Sequence, residues 1–402
     1  MIDARADFPL LAGNAAEVYL DSAATTQKPL EVIRAEAEFY ESINANIHRG
    51  AHRLSRLATE AHEEARHAVA QFLHAREDRE VLFTSGCTEG INLVAQVLAL
   101  SGRVRPDDEV LVATDAHHSN IVPWQMLCER TGARLRPIPL RADLTCDVEG
   151  FCSVLCPRTR IVALPVTSNA LGLHLPVARL IREARRVSPD VLTLVDGAQS
   201  VAHEQPDVQA LGCDFFAFSG HKIYAPTGTG ALWGRAELLD ELPPWKGGGE
   251  MISHVSFAHT TYNHLPFKYE AGTPNICGDI VLARALGYVG RLGFEAIRAH
   301  EAALMRRLYD GLAALEGVQI LGGREDRGSL LSVVVPGVHH YDLGTLLDQM
   351  GIAVRTGHHC CQPLMQHLGI TGTTRYSLAL YNTELDIDRA LAATARALRM
   401  LR

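Results

Sequence analysis

The sequence predicts an α/β fold, with a mostly parallel sheet between helices in a large domain and a smaller α+β domain after it. Two observations carry that expectation. From Glu80 onward the chain repeats a rhythm of short apolar run, polar turn and helical stretch, the pattern of strand–crossover–strand units. The runs Glu80–Thr84, Glu109–Thr114, Arg160–Val166, Val191–Val195 and Phe215–Phe218 are also largely apolar without alternation, as strands covered on both faces are. A third observation sets the scale. At 402 residues the chain is too long for one small core.

Taken in order, Val18–Asp21 reads as a brief strand, and Pro29 opens a helix with Val32, Ile33, Phe39 and Tyr40 on its apolar side. Residues Asn44–His52 are polar and broken by glycine, hence a loop. Leu54, Leu57, Ala58, Ala61, Ala65, Val69 and Phe72 then recur at helical spacing. The strand–turn–helix units follow, each strand emptying into a polar loop, so Thr88, His117, Asn169, Asp196 and Lys222 are expected along one edge of the sheet. The segment from Lys246 to Asn275 reads as irregular. Helices from Ile280 to Leu315 lead into a strand at Leu330–Val335, a helix at Leu343–Met350, a strand at Thr374–Leu380 and a terminal helix after Glu384. The composition shift near residue 288 predicts a large domain over 18–287, with 1–17 and 288–402 forming the smaller one.

Composition narrows the function. A net charge of −8 argues against nucleic acid or an anionic membrane as partner. No apolar run approaches the roughly 20 residues of a membrane span. The first residues lack the apolar core of a secretory signal. Nine scattered cysteines fit a reducing, cytoplasmic setting rather than a disulfide framework.

The two strands ending at Asp196 and at Ser219-Gly220-His221-Lys222 set a carboxylate and a lysine at one sheet edge. Pyridoxal phosphate needs both: a lysine for its Schiff base and an aspartate to hold its ring nitrogen protonated. Taken singly, Asp196 reads as a turn cap and Lys222 as a loop lysine. Ser85–Glu89 joins a strand to a helix, the arrangement of an anion site and equally of an ordinary N-cap. Thr88, Ser219 and His221 supply phosphate donors there. His117 or His118 is placed to stack on a ring, and Asn169 and Gln199 offer amides along the same edge.

Tyr19–Thr26, Thr88–Asn92, His118–Trp124, Val195–Gln199, Ser219–Lys222, Glu270–Asn275, Arg355–Cys360 and Tyr381–Thr383 together resemble the cysteine desulfurases among the class V, fold-type I pyridoxal phosphate enzymes, along essentially the whole chain. The short cysteine loop resembles the group II members, which mobilise sulfur for iron–sulfur clusters and related products or act on cysteine sulfinate and selenocysteine. The resemblance implies a seven-stranded sheet and a homodimer. It implies Lys222 as the Schiff-base lysine, Asp196 as ring-nitrogen partner, His117 on the ring and Gln199 at the ring oxygen. Asn169 lines the substrate side. Cys87, Thr88, Ser219 and His221 surround the phosphate, with Thr273 arriving from the second subunit. Arg375, with Arg355 nearby, binds the substrate carboxylate, as a guanidinium does bidentately.

Cys360 is implied as the nucleophile that takes sulfur from L-cysteine as a persulfide and leaves alanine, before sulfur passes to an acceptor protein. Tyr341 stands where members that serve zinc-bearing acceptors carry histidine, which implies a zinc-free acceptor. Cys361 and Cys87 depart from the family pattern, raising a second persulfide carrier and a missing phosphate hydroxyl. Two rival functions use part of this set: a class V aminotransferase, which leaves the Cys360 loop idle, and a non-catalytic sulfur carrier. The run His358–Cys361 also suggests zinc, but four adjacent residues do not converge on a tetrahedral ion; no metal is expected.

Overall fold

A computed structural model describes residues 2–14 and 16–402. Its central sheet has seven strands in the spatial order Val81–Thr84, Gly230–Gly234, Phe215–Ser219, Leu192–Asp196, Thr159–Pro165, Glu109–Ala113 and Arg134–Ile138. Gly230–Gly234 runs antiparallel to both neighbours, and every other pairing is parallel. Successive residues point to opposite faces. Val110, Val112, Ile161, Ala163, Phe215 and Ala217 pack with Ile91, Val94 and Leu98 of the helix Cys87–Leu100. Leu111, Val162, Leu164, Phe216 and Phe218 pack on the other face, with Val69 and Phe72 of the helix Arg53–Leu73 and Val281 of Ile276–Leu292. Both faces are dry, which is why these strands read as unbroken apolar runs.

Two strands of this sheet escaped the sequence reading. Arg134–Ile138 is an edge strand with exposed Arg134 and Pro137, and an edge tolerates both charge and proline. Gly230–Gly234 begins and ends in glycine, ordinarily a turn signal. Here a Cβ on Gly230 would lie 2.4 Å from the Phe218 carbonyl oxygen and 2.7 Å from Gly86 Cα. The segment read as irregular contains an exposed antiparallel hairpin, Ile252–Val255 with Thr260–Tyr262.

A second, antiparallel sheet orders Gln319–Ile320, Leu330–Val334, Thr373–Ser377 and Arg355–Gly357. Helices Phe294–Ala313, His340–Gln349 and Glu384–Leu401 supply its apolar cover, including Leu308, Leu347 and Ala397. The seams differ from those expected. Residue 288 falls inside the helix Ile276–Leu292, and the chain turns at Gly293, where φ is 83°. The following helix places Ile297 in the larger core and Leu304, Leu308 and Leu312 in the smaller. Val18 and Leu20 pack in the smaller core, where Val18–Tyr19 pairs with Ile352–Ala353 in a separate two-stranded sheet, whereas Phe8 and Leu11 pack in the larger core. Apolar content is similar on both sides of each seam, so composition does not mark it. Among the described residues no helix is long and apolar enough to cross a membrane.

The loop after Thr159–Pro165 is stitched to the second sheet. Ser332 Oγ donates to the Ala170 carbonyl at 2.6 Å, and Gly328 N–H to the Gly172 carbonyl at 2.8 Å. Gly172 sits at φ 75°, and a Cβ there would lie 2.1 Å from the Leu330 carbonyl oxygen. Gly172→Ala should therefore cost about 2 kcal/mol or more of unfolding free energy, measured by denaturant titration. An unchanged midpoint would contradict this view of the seam.

Candidate active site at the strand ends

The loops beyond the carboxyl ends of the parallel strands meet the second sheet and enclose a cavity. Its walls carry Cys87, Thr88, His117, Asn169, Asp196, Gln199, Ser219, His221, Lys222, Arg355 and Arg375. Eleven predicted site residues thus converge on one space, as a topological switch in an open α/β sheet favours. Thr273 is absent from it; it is exposed and lines outer depressions beside Gly272 and Pro274. Cys360 also lies outside the lining, half-buried on the loop above, with Sγ 3.9 Å from Arg355 Nη2.

Lys222 ends the short turn Gly220–Lys222 that follows its strand. The turn is held from the N-terminal segment: the His221 carbonyl accepts from Thr26 N–H, Thr25 Oγ1, Thr26 Oγ1 and Lys28 Nζ, each at 3.1 Å. The Tyr19–Thr26 motif thus anchors the lysine without touching the cavity through its threonines. Burial lowers the Lys222 pKa; Asp196 and Cys87 oppose the shift, and Arg375 and Arg355 add to it. Asp196 accepts from Ala198 N–H at 2.9 Å and, through the same Oδ1, from Cys87 Sγ at 3.2 Å. The Cys87 side chain therefore turns toward the aspartate, in keeping with the phosphate hydroxyl expected to be missing at this position. Its backbone N–H donates to Ser219 Oγ at 2.9 Å.

The two adjacent histidines separate. His117 faces the cavity, and its Nδ1 accepts from Ser119 N–H at 3.1 Å, so the ring proton sits on Nε2. Burial, then Lys222 and other cations, lower its pKa to about 3. His118 instead holds the cysteine loop: its N–H donates to the Cys360 carbonyl at 2.7 Å, and its Nε2 accepts from Gln362 N–H at 3.1 Å. That loop needs holding, because His359 and Cys360 both adopt left-handed φ, 51° and 54°. Asn169 Nδ2 donates to the His359 carbonyl at 2.6 Å, and Cys360 N–H donates to His358 Nδ1 at 3.0 Å. Cys361 is wholly buried among Ala170, Leu171, Leu173, Leu364 and Met365, and burial raises its thiol pKa. In this structure it serves as a packing residue.

Arg355 and Arg375 are cross-strand partners, a like-charge pairing that sheets ordinarily avoid. Arg375 is 1% exposed. Its Nη1 donates to the Asn169 carbonyl at 2.8 Å and its Nη2 reaches Asp21 Oδ1 at 3.3 Å, while Nε has no partner among the described residues. Burial lowers its pKa to about 10, against the pull of Asp21. Asp21 was missed by the sequence reading, although it stands inside a quoted motif; only the fold shows which cation it faces.

The donor set fits pyridoxal phosphate. Arg375 Nε and Asn169 Oδ1 are buried polar atoms without partners among the described residues. The N-terminus of Cys87–Leu100 follows Gly86 at φ 143°, where a Cβ would come within 3.0 Å of Ser219 Oγ; backbone approaches this close suit an anion. Thr88, Ser219 and His221 supply side-chain donors nearby.

The chain matches the family described as Aminotransferase class-V over residues 18–390. It is 48% identical over 402 residues to the cysteine desulfurase of Klebsiella pneumoniae strain 342, covering 99% of this chain and 98% of that one. It is 45% identical over 401 residues to a probable cysteine desulfurase of Vibrio cholerae, with the same coverage. The crystal structure of the Escherichia coli cysteine desulfurase CsdA, in an S-sulfonic acid form, superposes with a TM-score of 0.92 at 43% identity over 99% of this chain and 98% of that chain.

The histidines give a pH prediction. Burial is the leading cause of the lowered values at His117, about 3, His221, about 4, and His359, about 2. The unfolded chain binds these protons near pH 6.5, whereas the folded chain refuses them until near pH 4 or below. Stability should therefore fall as pH drops from about 6.5 toward 4, read as the thermal midpoint of the cofactor-free protein. His117→Asn should flatten part of that slope, and an identical slope would contradict the assignment.

Proposed function

We propose that this chain, which belongs to the class-V aminotransferase family and is a pyridoxal-phosphate-dependent cysteine desulfurase, divides its reaction between a buried amine, Lys222, and a thiol on the overhanging loop, Cys360. The observation that carries this reading is Lys222 in the lining of a cavity it shares with Arg375 and Arg355, with Cys360 on the loop just outside, its Sγ 3.9 Å from Arg355 Nη2. Bound pyridoxal phosphate supplies the electron sink for charge developing at the substrate Cα.

The remaining work falls to the protein. The buried Arg375 meets the carboxylate of L-cysteine, with Arg355 across the strand pair. Thr88, Ser219, His221 and the N-terminus of Cys87–Leu100 hold phosphate, and Asp196 meets the ring nitrogen. Lys222, its ammonium form disfavoured by burial, takes the Cα proton. His117 stays neutral with its proton on Nε2 and presents a flat ring and a donor to the cavity. Cys360 attacks the substrate sulfur as thiolate. The new S–S bond replaces the C–S bond, and alanine leaves after its Cβ is protonated.

Sulfur then passes from Cys360 to an acceptor protein, and the half-exposed loop supports direct hand-over. Tyr341 is 64% exposed beside the N-terminus of its helix, which supports an acceptor of the zinc-free type. The exposed Thr273, outside its own cavity, supports a homodimer in which it completes the neighbouring phosphate site. Nine free cysteines support work in a reducing cytoplasm, in iron–sulfur assembly or related sulfur mobilisation. Cysteine sulfinate and selenocysteine present the same ammonium and carboxylate and are candidate substrates. For the domains, the proposed cofactor-binding unit keeps most of 18–287 but gains Phe8 and Leu11, yields Val18 and Leu20 to the smaller core, and ends at Gly293.

Cys360→Ala should lower alanine release from cysteine on the order of a hundredfold or more, whereas Cys361→Ala should still form a persulfide, located by peptide mass spectrometry. Undiminished turnover in Cys360→Ala, or a persulfide on Cys361, would contradict the assignment. Formation of a 2-oxo acid in place of alanine would favour aminotransfer.

A further inference from the structure

We propose that Cys87 is a positioning residue that couples the two ends of the cofactor site, its backbone fixing the phosphate cradle and its thiol aiming the aspartate at the ring nitrogen. The inference rests on the reading that pyridoxal phosphate occupies the cavity.

Cys87 is the first residue of the helix Cys87–Leu100 and is 3% exposed. Its N–H donates to Ser219 Oγ at 2.9 Å, which fixes that hydroxyl at the phosphate end. Its Sγ donates to Asp196 Oδ1 at 3.2 Å, with the Ala217 carbonyl a second acceptor at 3.5 Å. Oδ1 also receives Ala198 N–H at 2.9 Å. Two donors on one carboxylate oxygen set the rotation of the group, and the other oxygen is left for the cavity. A thiol is a weak donor to neutral acceptors, but a carboxylate acceptor strengthens the bond.

The thiol serves as a donor only while it keeps its proton. Burial raises its pKa well above the ordinary thiol value, and the Asp196 charge adds to this against the opposing pull of Lys222. It therefore behaves as a fixed hydrogen-bond donor and not as a nucleophile. An alanine here would leave the helix and the Ser219 contact intact but free the carboxylate to rotate. A serine would preserve donor and approximate volume.

The test is equilibrium dialysis of the purified holoenzyme against known concentrations of pyridoxal phosphate, with bound cofactor read from its visible absorption. Cys87→Ala should raise the dissociation constant on the order of tenfold, and Cys87→Ser should return it to within about threefold of the unmodified protein. In an Asp196→Ala background, Cys87→Ala should add nothing, as a double-mutant cycle requires of a residue acting through its partner. The inference is overturned by an unchanged constant in Cys87→Ala, by equal losses in the alanine and serine variants, or by a full effect in the Asp196→Ala background. Matched losses of affinity and of cofactor-free melting temperature in both variants would mark plain packing and also overturn it. Failure of the unmodified protein to bind the cofactor at all would instead defeat the functional reading.

Discussion

Three cationic side chains, Lys222, Arg355 and Arg375, share one cavity, and the rest of the structure is arranged by how that charge is accommodated. Asp196 and Asp21 offset part of it. The nearby imidazoles respond by staying neutral: burial and the same cations depress His117 and His359. The remaining imbalance is what a dianionic phosphate and a substrate carboxylate would satisfy. Desolvation, which makes an isolated buried charge costly, here prepares the site for anions and supplies a lysine that gives up its proton readily.

The two sheets divide the labour. Parallel strands buried on both faces bring Asp196 and the Lys222 turn to one edge, and their rigidity follows from cores above and below. The antiparallel sheet contributes Arg355 and Arg375 from paired strands and the loop that carries Cys360. The contact between the two parts combines apolar packing of Cys361 on Ala170, Leu171 and Leu173 with specific polar links, among them Arg375 on the Asn169 carbonyl and Asn169 on the His359 carbonyl. Asn169 thus ties the arginine strand to the sulfur loop. A left-handed pair at His359 and Cys360 persists because hydrogen bonds from the large sheet's loops hold both carbonyls.

Much of this was legible in the chain. Runs largely apolar without alternation, each ending in a polar loop, identify buried parallel strands, and so Asp196 and Lys222 could be placed at one edge from the sequence. What stayed hidden depends on which neighbour a side chain faces. The choice between His117 and His118 turns on which residue caps the 3-10 turn and which opens it: His117 is the N-cap and His118 the first residue of the turn. The Cys87 thiol could reach a phosphate or an aspartate, and only packing beneath the helix decides. Gly230–Gly234 looked like a turn because its glycines answer to contacts from the neighbouring strand and from Gly86, both distant in sequence. The seam within Ile276–Leu292 is likewise invisible to composition, since both cores demand the same residues.

The central claim is that carbon chemistry and sulfur chemistry belong to different residues, Lys222 below and Cys360 above. Proton NMR of L-cysteine incubated in heavy water with the Cys360→Ala variant separates them. The account predicts that deuterium still enters at Cα while alanine formation is lost. Loss of Cα exchange together with alanine formation in that variant would contradict it.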